Sequence, residues 1–179
     1  GGWMTAMLSG RRLSIERYNR IADVLTAHRT ADRLIIDIPI GLADSRDEAA
    51  NRPENAARKI LKGKSSSIFP VPFRSVARAK TVAEAWNISK SLNAGANYMT
   101  MGIRDAVNEI DIFLQENETW KNVLYESHPE VCFALLNGGK PVMEKKSEEQ
   151  GIEKRLEILE KYGIDRVDVT QHPLFTKYR

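Results

Sequence analysis

The chain has a single cysteine, Cys132, in 179 residues. It cannot form an internal disulfide and has no Cys or His neighbours at zinc spacing. This predicts a reducing, cytoplasmic setting and a core-filling thiol on the helix after Pro129. No run reaches 18 apolar residues, so neither a transmembrane helix nor a membrane partner is expected. The apolar stretch 3–8 is short and lacks a positively charged leader, so it does not read as a secretory signal. Aromatic residues make up 7% of the chain, and no basic stripe is interleaved with them. That argues against a stacking platform for single-stranded nucleic acid. There are no repeats and no low-complexity segments. Asn137-Gly138-Gly139-Lys140-Pro141 reads as a helix stop, because proline after the lysine does not fit a phosphate-binding P-loop.

What is present is 42% apolar residues, enough to bury one core, which predicts a single soluble domain over residues 1–179. The start at Gly1-Gly2 in place of Met predicts a processed, tagged or truncated product. The sequence carries no signal of oligomeric state.

The net charge of +3 hides an uneven distribution. Residues 52–80 hold eight basic side chains (Arg52, Arg58, Lys59, Lys62, Lys64, Arg74, Arg78, Lys80) against Glu54 alone, a local +7. Residues 108–160 hold twelve acids and six basic residues, a local −6. A basic flank beside carboxylates suits a polyanionic substrate, and a solvated helix face explains it equally well.

The pattern along the chain is α/β. Residues 3–8 and 13–18 around Ser9-Gly10-Arg11-Arg12 predict a hairpin. Asn19 is placed to cap a helix through His28 with Ile21, Val24 and Leu25 on one face. Residues 34–40 read as a strand buried on both faces and central in the sheet. Pro53 opens a helix to about Lys62, and residues 63–75 form a loop. Thr81-Val82-Ala83-Glu84 is a capping box for a helix to about Leu92. Ile103, Val107, Ile110 and Leu114 mark a long helix ending near Asn117. A strand over 123–125 and a helix from Pro129 follow, and Ser147 is placed to cap a last helix with Ile152, Leu156 and Leu159 inward.

The candidate chemistry gathers at two strand ends. A carboxylate inside a run as apolar as 34–40 needs a partner, since desolvating it alone costs several kcal/mol. Asp37 is therefore a candidate metal ligand, or the acceptor of N–H bonds from Gly41 or Leu42. Glu126 ends the second strand and is a second ligand or half of a bridge to an arginine. If the strands are parallel neighbours, the two acids face one another at the edge where open α/β sheets hold ligands. His128, at a helix N-terminus that disfavours imidazolium, is read as supporting the site. Glu130 is a catalytic acid or base, or completes a capping box from Ser127. Arg52, Arg58, Lys64 and Arg74 are candidate substrate-binding residues, and Asp111 is expected to bind a neighbouring arginine.

These residues also resemble a known family. Asp37-Ile38-Pro39-Ile40-Gly41-Leu42, the stretch 52–74 with Ser65-Ser66-Ser67-Ile68-Phe69-Pro70, and Val107-Asn108-Glu109-Ile110-Asp111 carry the likeness. So do Glu126-Ser127-His128-Pro129-Glu130-Val131-Cys132-Phe133, Leu136-Asn137-Gly138-Gly139 and the opening Gly1-Gly2-Trp3. Together they are similar to the predicted RNase H-like nuclease family, domain of unknown function 429. The resemblance implies a ribonuclease-H-like mixed sheet with helices on both faces. In the family pattern a strand ending Asp-Gly precedes Gly-Gly-Trp, and a helix bearing Asp follows where this chain stops at Lys177-Tyr178-Arg179. That implies truncation at both ends, with the first strand and last helix missing. Asn55 stands where the family usually has Asp.

Three functions follow as expectations. The first is a divalent-metal-dependent phosphodiester hydrolase with Asp37 and Glu126 as ligands of Mg²⁺ or Mn²⁺ and nucleic acid or another phosphorylated substrate as partner. The second is a nucleic-acid or nucleotide-binding module on the same fold without turnover. The third is a small-molecule enzyme using His128 with Glu130 as an acid/base pair.

Overall fold

The computed structural model describes residues 2–10 and 12–172. Gly1 and Arg11 of the expected hairpin, and the chain end at Lys177-Tyr178-Arg179, lie outside the described residues. In chain order the elements are β1 (Trp3–Ser9), β2 (Arg12–Tyr18), α1 (Ile21–Ala27), β3 (Leu34–Ile36), α2 (Arg46–Ala50), α3 (Glu54–Ile60), α4 (Arg74–Ala77), α5 (Val82–Ser91), α6 (Tyr98–Glu116), β4 (Leu124–Glu126), α7 (Pro129–Leu136), α8 (Glu149–Lys161) and α9 (Arg166–Thr170). Short 3₁₀ turns occupy Ser65–Ser67 and Glu118–Asn122. This is a mixed α/β chain with about 51% helix. Among the described residues the strands form two small sheets, β1 with β2 antiparallel and β3 with β4 parallel. No helix among the described residues is long and apolar enough to cross a membrane.

The chain divides into two compact units, one from residues up to Thr30 and from Phe133 onward, the other Ala31–Cys132. In the first, the hairpin turns at Gly10, whose φ of 62° is open to glycine at no steric cost. Ile21, Val24 and Leu25 are buried, as their spacing predicts. The cap is Arg20, not Asn19: its extended backbone lets its carbonyl accept from Asp23 and Val24, so the helix begins one residue late. α8 likewise starts after Glu148 instead of Ser147: the Glu148 carbonyl accepts the first intrahelical bond, from Ile152 N–H at 3.0 Å. Its buried residues include Leu156 and Ile158, while Ile152 and Leu159 are half-buried.

The second unit packs Ala43, Phe73, Val76, Ala79 and Ala85 in one cluster and Leu42, Ala77 and Val107 in another. Asn97 and Thr100 form a reciprocal capping box that starts α6. Val107, Ile110 and Leu114 then lie buried along it. Asp111, on the same helix, receives Arg74 and Arg78, each at 3.1 Å. The expected strand 34–40 is shorter, Leu34–Ile36, and Ile35 is 66% exposed. The chain bends at Asp37, and among the described residues β3 has β4 as its one neighbour, so it is not the central strand expected, and the face that carries Ile35 is exposed.

Candidate functional site

β3 and β4 pair in parallel with Leu34 opposite Leu124 and Ile36 opposite Glu126. Ser127 N–H donates to the Ile36 carbonyl at 2.9 Å, so the pairing continues just past Glu126. Asp37 and Glu126 therefore mark adjoining strand ends at the same edge, but one position out of register, since Glu126 stands opposite Ile36 and not opposite Asp37. The desolvation argument for Asp37 does not hold, because the strand ends before it and the residue is exposed.

Glu126 is half-buried and built into the loop after β3. Its Oε2 accepts from Ile40 N–H at 3.0 Å and lies 3.1 Å from Arg52 Nη2. The same Arg52 nitrogen lies 2.8 Å from Glu54 Oε1. Arg52 Nη1 donates to the Ile40 and Gly41 carbonyls at 2.8 and 2.5 Å. Gly41, at φ 67°, makes the turn that presents these two carbonyls. Burial pushes the Glu126 carboxyl above the ordinary carboxylate value, outweighing the Ile40 N–H and the Arg52 charge that pull it down, and the nearby Glu54 charge adds to the rise.

Carboxylate and carbonyl oxygens are the donors that Mg²⁺ or Mn²⁺ prefer. As arranged, these residues do not fit a resident ion. The cation between Glu54 and Glu126 is Arg52, and no group of three or more His, Cys, Asp or Glu among the described residues is disposed to hold a metal.

Beside this edge, His128 starts α7. Its Nδ1 accepts from Glu130 N–H at 3.2 Å and its Nε2 lies 3.1 Å from the Ser67 carbonyl. A ring nitrogen that accepts a backbone N–H leaves the proton on the other, so Nε2–H donates to Ser67. The cap of α7 is thus His128, whereas Ser127 Oγ lies 2.9 Å from Cys132 Sγ. Glu130 is 7% exposed and bonds Lys64 Nζ at 2.8 Å.

The other candidate substrate-binding residues are held inside the unit. Arg58 donates to the Ile68 carbonyl at 3.2 Å, and Arg74 bonds Asp44, Asp111 and the Leu42 carbonyl. Lys59, Lys62 and Lys80 of the same basic stretch are exposed. The structure thus joins Arg52 to Glu126 and Lys64 to Glu130, and sets Arg74 in a separate network on α6. Glu54 and Ser67 take part although their sequence context did not single them out. The signal available for Glu54 was its place two residues after an arginine, across a proline that favours a tight turn.

A family model described as a protein of unknown function (DUF429) matches residues 1–178, and the chain belongs to that family. No curated protein and no solved structure matches it.

Proposed function

We propose that this member of the DUF429 family is a phosphodiester hydrolase of ribonuclease-H-like build, acting on nucleic acid or another phosphorylated substrate at the C-terminal edge of β3 and β4. One observation carries the reading. The Ile36–Glu126 register makes Asp37 and Glu126 the acids at two adjoining parallel strand ends, the edge at which open α/β sheets hold ligands. The likeness of the Asp-x-Pro-x-Gly-Leu and His-Pro-Glu segments to predicted nucleases supports the same choice. In this reading Asp37 is the exposed carboxylate nearest an incoming substrate, Glu126 is the half-buried one, and His128 with Glu130 and Lys64 fixes the start of α7 beside them. Hard oxygen donors make Mg²⁺ or Mn²⁺ the ion this chemistry calls for. No step is assigned to it, because Arg52 holds Glu126.

Cleavage of a DNA, RNA and nucleotide panel in Mg²⁺ or Mn²⁺ tests the proposal, with loss of activity expected in Asp37→Asn and in Glu126→Gln. Uncleaved but bound nucleic acid would favour the second reading, a binding module without turnover. The Arg52–Glu126 ion pair is the observation in its favour.

A further inference from the structure

We infer that Arg52 is a tethered cation that closes the Glu54–Glu126 edge to divalent ions. The inference rests on the reading of that edge as a metal-dependent hydrolytic site and concerns how the site is regulated.

Four oxygens lie within 3.1 Å of the Arg52 guanidinium nitrogens. Nη2 lies 2.8 Å from Glu54 Oε1 and 3.1 Å from Glu126 Oε2, while Nη1 donates to the Ile40 and Gly41 carbonyls. Two carboxylates far apart in sequence thus converge on one nitrogen, in an all-oxygen setting of the kind a hard divalent cation takes. Arg52 is delivered there by its own backbone. It lies two residues before Glu54, and Pro53 between them, at φ −69°, forms the N-cap of α3. Its side chain is only 9% exposed. A free ion must displace a charge that cannot diffuse away and whose planar fork satisfies several acceptors at once. The same geometry explains why strand-end carboxylates of the right chemical type are not arranged as a metal site.

Calorimetric titration of Mn²⁺ into the folded chain and its variants tests this. R52Q is expected to bind Mn²⁺ at least tenfold more tightly than wild type and to gain thermal stability from it, while the wild-type melting temperature barely moves. R52K, whose ammonium is a point charge instead of a fork, is expected to fall between them, and it carries the test if R52Q does not fold. Equal Mn²⁺ affinity in wild type, R52Q and R52K, abolished in E126Q, would overturn the inference and leave the hydrolase reading standing. Absence of Mn²⁺ binding in wild type and in both folded Arg52 variants would overturn the inference and remove the ion from the hydrolase reading as well.

Discussion

Lys64 Nζ lies 2.8 Å from Glu130 Oε2, and the two side chains are only 17% and 9% exposed. The pair ties the loop after α3 to the first turn of α7, so the lysine that a charge count offers to substrate works as an internal strut. Removing one member of so largely buried a pair takes the nearest counter-charge from the other, which costs on the order of 3 kcal/mol. Lys64→Met is therefore expected to lower the urea-derived stability by roughly that amount, and a Lys64→Met/Glu130→Leu double variant to recover most of it. A loss below about 1 kcal/mol in the single variant would mark the pair as a solvated surface bridge.

Glu126 gives the edge a pH dependence of definite sign. Burial raises its carboxyl in the folded chain, so the folded state keeps this proton to higher pH than the unfolded state does. The resulting contribution favours folding below the ordinary carboxylate range and is lost as pH rises through the raised folded value. As pH rises from the ordinary carboxylate range through the raised folded value, wild type should lose stability relative to Glu126→Gln, read from urea midpoints at each pH. A difference that instead grows in favour of wild type with rising pH would show that Arg52 outweighs burial.

Gly151 reverses the usual helix rule. Glycine inside a helix normally costs about 1 kcal/mol against alanine, so Gly→Ala stabilises. A Cβ at Gly151 would lie 2.0 Å from the Lys145 carbonyl oxygen, and that atom is backbone in the turn leading into α8. Gly151→Ala should therefore lower the melting temperature, and a rise would show that the turn yields easily.

Elements with strong local signals were legible in the sequence. The hairpin, the Thr81 hydroxyl cap of α5, the stripe along α6 and the proline start of α7 each rest on residues a few positions apart, and the short apolar runs 34–40 and 123–125 located the parallel pair. The Thr81 box is only half formed, since the Glu84 carboxylate accepts from Lys80 N–H instead of Thr81 N–H. What was not legible is where long basic side chains end. Arg52, Arg58, Lys64 and Arg74 lay in a +7 stretch, yet each reaches a carbonyl or carboxylate of its own unit, some from positions more than sixty residues away. Charge counting cannot separate a guanidinium facing solvent from one folded back onto Glu126, because the two read as the same residue in the sequence and differ only in where a long, flexible side chain ends. The burial expected of Asp37 erred in the opposite direction. Its apolar neighbours implied a buried strand position, but β3 ends at Ile36 and Asp37 is exposed.

The basic stretch now divides into residues that hold the fold and residues free to meet a polyanion, and salt dependence separates them. Lys59 and Lys62 are exposed on and just after α3, whereas Arg74 is committed to Asp111 and the Leu42 carbonyl. If the chain binds duplex nucleic acid, each phosphate neutralised contributes about 0.9 to the slope of log affinity against log salt. A Lys59→Gln/Lys62→Gln variant should flatten that slope by roughly two contacts with little change in melting temperature. Arg74→Gln should leave the slope alone and lower the melting temperature, because it deprives buried Asp111 of one of its two arginines. The opposite pairing, with Arg74→Gln flattening the slope while the double lysine variant does not, would restore the arginine as a phosphate clamp. A slope unchanged in both variants would reduce the +7 segment to solvated surface and turn the search for a substrate toward small molecules.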